Sequence, residues 1–129
     1  YIERNQFIRT QGIITAHNGP SVYIRNNLFF QYRPLSIEPS ALITSWAAHK
    51  GKTVVKYNTF QDVKPYAVGL ELGQKNSAMS ANDNYWGTTD ETAIEAMIFD
   101  RNDDASIPTK ISFKPILPSP HPQTPKHGK

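Results

Sequence analysis

Four times along the chain an asparagine is followed two residues later by a large aromatic. Asn5 precedes Phe7, Asn27 precedes Phe29, Asn58 precedes Phe60 and Asn84 precedes Trp86. The asparagines lie 22, 31 and 26 residues apart. One role recurring every ~20–30 residues marks stacked repeats, whose units bury their apolar faces only against each other. The first two copies also share their flanks, "YIERNQF" and "YIRNNLF", which sets them apart from chance triplets.

Between the asparagines the chain reads as short strands. "GIIT" (12–15), "SVYI" (21–24), "ALIT" (41–44), "TVVKY" (53–57) and "AVGLEL" (67–72) are rich in β-branched and aromatic residues. Turn signals separate them at Asn18-Gly19-Pro20, Arg33-Pro34, Glu38-Pro39, Lys50-Gly51 and Lys64-Pro65. Superposing the repeats lays "GIIT" on "ALIT" and "AVGL" as first strands. A second strand then ends at the asparagine, and a third begins at the aromatic ("FIRT", "FFQY", "FQDV"). Three strands per turn of chain describe an all-β fold, a parallel β-helix of about four coils over residues 1–87.

The chemistry of asparagine fits the corner between second and third strands. It enters the left-handed backbone region at less cost than most residues, and its amide both donates and accepts. Stacked at the ~4.8 Å strand spacing, Asn5, Asn27, Asn58 and Asn84 are expected to form a hydrogen-bonded ladder. Phe7, Phe29, Phe60 and Trp86 are expected to form an aromatic column beside it.

Past Asn84 the pattern changes. Thr88 and Glu91 stand in capping-box spacing, and Ile94, Met97 and Ile98 follow at i, i+3 and i+4. A helix of about ten residues within 88–99 is predicted, placed to cap the open end of the stack. "KISF" (110–113) reads as a last strand, closing a unit at 88–118. Five prolines follow from Pro115 to Pro125. Residues 119–129 are expected to form a flexible Pro-rich tail.

Composition sets wide bounds. The 129 residues make one domain's worth of chain, with no cysteine for a disulfide framework or thiolate metal site. No apolar run approaches the ~18 residues of a membrane span, and no signal peptide opens the chain. The chain opens inside a repeat, so continuation into further N-terminal coils is expected. The net charge of +3 is split. Residues 1–82 carry nine Lys/Arg against four Asp/Glu, residues 83–104 one against seven, and residues 105–129 four against none. The basic charges are dispersed and lack the stripe of a nucleic-acid binder, so no nucleic-acid partner is expected.

The stretch "NDNYWGTTDETAIEAMIFDRNDDASIPTKISFKPIL" resembles the C-terminal signature of right-handed parallel β-helix repeat proteins of the pectate-lyase-like superfold. In that group an Asn-aromatic-Trp-Gly step leads into a short helix, an acidic turn and a last strand ending near a proline. The upstream "I-x-x-N-x-F" coils match the same group, so the resemblance covers residues 1 to about 118. It implies a right-handed coil. It does not fix an activity, because relatives include polysaccharide-cleaving enzymes, adhesins and tailspikes.

Candidate sites are sparse. Calcium-assisted lyase chemistry, as the resemblance implies it, needs several carboxylates and a basic residue on one face, and a hydrolase needs clustered acids. The coil region holds only Glu3, Glu38, Asp62 and Glu71, which neither pair nor repeat. No catalytic residue is assigned. The acidic turn Asp100, Asn102, Asp103 and Asp104 offers oxygen ligands for calcium, or is a solvated turn after a helix. His17, His49, His121 and His127 do not form a metal set, and no other cofactor is expected. Tyr32, Trp46 and Tyr66 sit at strand or turn edges, where they can contact a glycan or pack on neighbouring coils.

The expectation is a non-catalytic module of a secreted, cell-surface or periplasmic protein, serving assembly, adhesion or glycan contact. Its partner would be a polysaccharide or a neighbouring chain. Alternatives are the C-terminal part of a polysaccharide lyase or glycoside hydrolase, and a self-stacking filament unit. A ligand, if any, is expected near the long insertion at residues 30–40.

Overall fold

The β-branched and aromatic clusters become short strands that join three separate parallel sheets. The computed structural model describes residues 1–9, 14–16, 21–33, 41–45, 52–64, 66–70, 79–99 and 111–126. The elements are β1 (Ile2–Glu3), β2 (Gln6–Ile8), β3 (Ile14–Ala16), β4 (Val22–Arg25), β5 (Leu28–Tyr32), β6 (Ala41–Ser45), β7 (Thr53–Lys56), β8 (Thr59–Val63), β9 (Tyr66–Leu70), β10 (Met79–Ser80), α1 (Glu91–Glu95) and β11 (Ile98–Phe99). The first sheet runs β1-β4-β7-β10, the second β2-β5-β8, and the third β3-β6-β9-β11. Every neighbouring pair is parallel. The chain therefore visits the sheets in the same order in each circuit, and each strand pairs with its counterpart one circuit away.

Register follows the side-chain period of two in the first sheet. Ile2, Ile24 and Val55 align, as do Glu3, Arg25 and Lys56. Ile24 and Val55 are fully buried, while the charged set faces out. The second sheet aligns Phe7, Phe29 and Phe60, as the superposed repeats predict. The third sheet differs by one residue. Ala41 stands opposite Tyr66, and Ile43 opposite Val68, instead of Ala41 opposite Ala67. Ala41, Leu42 and Ile43 on β6 and Ala67, Val68 and Leu70 on β9 are all buried. A strand buried on both faces gives no in-out alternation from which to read register.

Gly69 sits where β9 passes between β6 and β11. A Cβ there would stand 2.9 Å from Ala41 Cβ and 3.3 Å from Phe99 Cβ. Gly69→Ala is expected to cost about 1–3 kcal/mol by overpacking, read from the denaturation midpoint. An unchanged midpoint would count against this close three-strand packing.

The helix is shorter than its sequence pattern. Asp90 is the N-cap and accepts from Thr92 N–H at 3.1 Å, while Thr88 Oγ1 accepts from Asp90 N–H. The Thr88–Glu91 capping box is thus replaced by an Asp cap two residues further on. The helix ends at Glu95 because Ile98–Phe99 pairs as a strand with Val68–Gly69. Ile94 is fully buried in the core.

The helix also does not close the stack. Tyr85 before it bridges to Thr59 and β11 after it pairs with β9, so it lies inside the fourth circuit. Residues 111–117 cover that circuit instead. Ala81 N–H donates to Ser112 O, Asp83 N–H to Pro115 O and Leu117 N–H to Asn84 O. The expected strand at 110–113 reduces to one bridge, Ser80 to Ser112.

The tail is docked rather than free. Thr124 is 3% exposed, and its hydroxyl donates to Tyr57 O at 2.5 Å. Among the described residues no helix is long and apolar enough to cross a membrane.

Candidate functional site

At the corner between first and second sheets, the four repeat asparagines stand in line. Asn5 Nδ2 donates to Asn27 Oδ1 at 3.2 Å, Asn27 Nδ2 to Asn58 Oδ1 at 3.0 Å, and Asn58 Nδ2 to Asn84 Oδ1 at 3.1 Å. Each Oδ1 also accepts the backbone N–H of the asparagine before it, at 2.9–3.0 Å. Asn27, Asn58 and Asn84 are fully buried. The amides also hold the strands above. Asn27 Nδ2 donates to Ile2 O, Asn58 Nδ2 to Ile24 O and Asn84 Nδ2 to Val55 O. These side chains are committed to the protein, so the corner is a structural element and offers no ligand site.

The left-handed residue at this corner is not the ladder asparagine. It is the residue before it in every circuit: Arg4, Asn26, Tyr57 and Asp83, with φ of 58°, 57°, 61° and 62°. The ladder asparagine supplies the hydrogen bonds and its neighbour supplies the bend. A second left-handed series runs along the second sheet, with Arg9 just past β2, Gln31 in β5 and Asp62 in β8. The left-handed Gln31 returns Tyr32 to the interior, where it is fully buried. Burial pushes its phenol above the usual tyrosine range, and its hydroxyl has no partner among the described residues.

This removes Tyr32 from the candidate glycan contacts, since a side chain without exposed surface touches no ligand. Tyr66 is half-buried and packs against Phe99 at 5.1 Å. Trp46, residues 34–40 of the insertion expected at 30–40, His17, His49, His127 and the acidic turn Asp100, Asn102, Asp103 and Asp104 lie outside the described residues. Among the described residues, no three His, Asp, Glu or Cys side chains come together to hold a metal.

Among the described residues, the surface best equipped to meet a ligand is the outer face of the first sheet. Register brings Tyr23, Val54 and Ser80 into one column and Glu3, Arg25 and Lys56 into the next. Tyr1 stacks on Tyr23 at 5.1 Å, and the Arg25 guanidinium lies 4.5 Å from the Tyr1 ring centre. Arg25 Nε donates to Glu3 Oε2 at 2.8 Å and holds that carboxyl below its usual range. The resulting stabilisation is present above the ordinary carboxylate range and lost as pH falls through the lowered value. Both side chains remain open to solvent, which keeps it small.

Further along the face are two recesses. One of about 260 Å³ is lined by Lys52, Thr53, Met79 and Ser80. One of about 330 Å³ is lined by Val54, Val55, Lys56, Ser80, Asn82, Asp83 and Pro115. Lys56 Nζ stands 3.9 Å from Asp83 Oδ2. An ammonium, a carboxylate, an amide and a hydroxyl around an apolar floor can bind a polyhydroxylated chain. They do not include the paired acids of a glycosidase.

Sequence reasoning passed over this face. Its signal is the alternation Tyr23/Arg25 and Val54/Lys56, which becomes a site only when register stacks the strands. No family model, curated protein or solved structure matches the chain.

Proposed function

We propose that the chain forms coils of a right-handed parallel β-helix and serves as a non-catalytic binding or assembly module of a secreted or cell-surface protein. The observation that carries the reading is the ladder at one corner, which runs unbroken through four circuits beside a continuous aromatic column. Phe7, Phe29, Phe60 and Trp86 are stacked at 4.9–5.2 Å. The right hand follows from the handedness of parallel crossovers. A corner spent wholly on internal hydrogen bonds supports a scaffold, and the outer face of the first sheet is its glycan-contact surface.

The two ends of the stack differ. At one end β1, β2 and β3 are the edge strands of all three sheets. At the other, residues 111–126 carry prolines 115, 118, 120, 122 and 125, which have no N–H to donate to a further strand. The edge strands β1, β2 and β3 therefore offer a surface for association by strand addition with a neighbouring chain.

Incubation with polygalacturonate and alginate is expected to yield neither unsaturated uronate absorbance nor new reducing ends. Turnover of either polymer would overturn the non-catalytic reading in favour of a lyase or hydrolase.

A further inference from the structure

The segment after the last circuit doubles back over the corner, and its contacts are specific. The His121 ring packs on Tyr57 with centroids 4.5 Å apart. His121 Nδ1 lies 3.1 Å from the Gln123 backbone nitrogen and 3.2 Å from Asn26 Nδ2. Thr124 accepts from Asn26 Nδ2 at 3.3 Å, donates to Tyr57 O, and folds its own N–H onto His121 O at 3.0 Å. Asn26 and Tyr57 are the left-handed residues of successive circuits. A non-glycine residue at positive φ is uncommon and a bulky one is an outlier. The segment thus ties together two turns that carry local backbone cost.

The protonation state of the ring follows from its neighbours. A backbone N–H can only donate, so His121 Nδ1 must present its lone pair to Gln123. The neutral ring then carries its proton on Nε2, and the Asn26 amide is a second donor to the same Nδ1. A proton added at Nδ1 would face both donors, and both hydrogen bonds would be lost. Histidine is the side chain whose charge ordinarily changes between about pH 5 and 8. Among the described residues, the other charged and titratable groups on the elements around the ring are Arg25 at the end of β4, paired with Glu3, Lys56 and Tyr57 at the end of β7, Asp83 at the next corner, and Lys126 on the segment itself. Lys56 sits 4.7 Å from the centre of the Tyr57 ring and is the partner of Asp83.

We propose that residues 121–126 form a pH-operated clasp. It is fastened across the corner by neutral His121 and released when His121 is protonated. Release uncovers Asn26 and Tyr57 and frees the C-terminal segment, while the coils stay folded because the ladder lies beneath.

Amide hydrogen exchange of the whole chain, followed by NMR at about pH 7.5 and 5, reads this directly. Protection of Gln123 and Thr124 is expected to fall roughly tenfold or more at the lower pH, after correction for intrinsic exchange. Val55 and Phe60 should stay protected at both pH values. Ring-nitrogen spectra at the higher pH should show His121 protonated at Nε2 only. In His121→Gln the protection of Gln123 and Thr124 should no longer depend on pH. An Nδ1–H tautomer, equal protection at both pH values, or a pH response that persists in His121→Gln would each overturn the clasp. Simultaneous loss of protection at Val55 would overturn it too, since that is unfolding and not release.

Discussion

Asn58→Ala is expected to destabilise the protein by about 3–5 kcal/mol, while Asn5→Ala costs about 1 kcal/mol or less. Asn58 Oδ1 accepts from both Asn27 N–H and Asn27 Nδ2, and its own Nδ2 donates to Asn84 Oδ1, Ile24 O and Lys56 O. Truncation strands Asn27 N–H where water does not reach and leaves the buried Asn84 Oδ1, Asn27 Nδ2 and Ile24 O each short of a partner. Each stranded buried group costs ~1–3 kcal/mol, and the cut ladder adds the lost amide coupling. Against a total of ~5–15 kcal/mol, this is a large fraction. Asn5 is exposed and, among the described residues, donates from its amide to Glu3 O and Asn27 Oδ1. Its truncation leaves groups that water can reach. Chemical denaturation of both variants gives the comparison, and equal losses would sink the ladder as an energetic element. Asn58→Asp separates polarity from volume. It keeps the shape and the acceptor but sets a carboxylate oxygen against Asn84 Oδ1, so it should cost at least as much as alanine. If Asn58→Ala does not fold, Asn27→Ala reads the same effect one circuit earlier.

That gradient depends on position in the stack, which the repeats gave away in part. Asparagine with an aromatic two residues on is legible because both side chains keep the same job in every circuit. The bend beside it is not. Its residues are Arg4, Asn26, Tyr57 and Asp83, which share no chemistry, so the eye settles on the conserved-looking asparagine and assigns it the left-handed conformation. Tyr32 shows the same gap. Its place after Gln31 and before Arg33-Pro34 reads as a turn edge, and only the positive φ of Gln31 explains its burial. The third sheet loses its register signal because β6 and β9 are apolar on both faces. The docked tail was hidden by its prolines, which signal extended chain but not what the chain lies on. The outer face of the first sheet needed strand alignment before Tyr1, Tyr23, Arg25 and Lys56 became neighbours at all. In each case the missing information is not in the residue's type but in a partner strand or in one backbone torsion.

Phe60→Ala is the second large effect, about 3–5 kcal/mol. Phe60 is fully buried and lies between Phe29 at 5.2 Å and Trp86 at 4.9 Å, with interplanar angles of 9° and 26°. Its removal leaves a cavity bounded by two ring faces, and the strands on either side are held by ladder bonds that resist collapse into it. Cost rises where a site cannot relax. Phe7 ends the column, is half-buried and, among the described residues, stacks on one neighbour, Phe29. Phe7→Ala should therefore cost about half as much or less, since roughly half the burial is at stake. Phe60→Leu keeps most of the apolar volume and removes two stacked contacts worth ~0.5–1.5 kcal/mol each, so it should fall between wild type and alanine. Trp86 reports locally, because its 2% exposure should rise when Phe60 no longer covers one face, shifting its emission to the red. Equal losses for Phe7→Ala and Phe60→Ala, or an unmoved Trp86 spectrum in Phe60→Ala, would mean that the column is not the core of the stack. Were Phe60→Leu as costly as alanine, ring geometry and not buried area would hold the circuits in line.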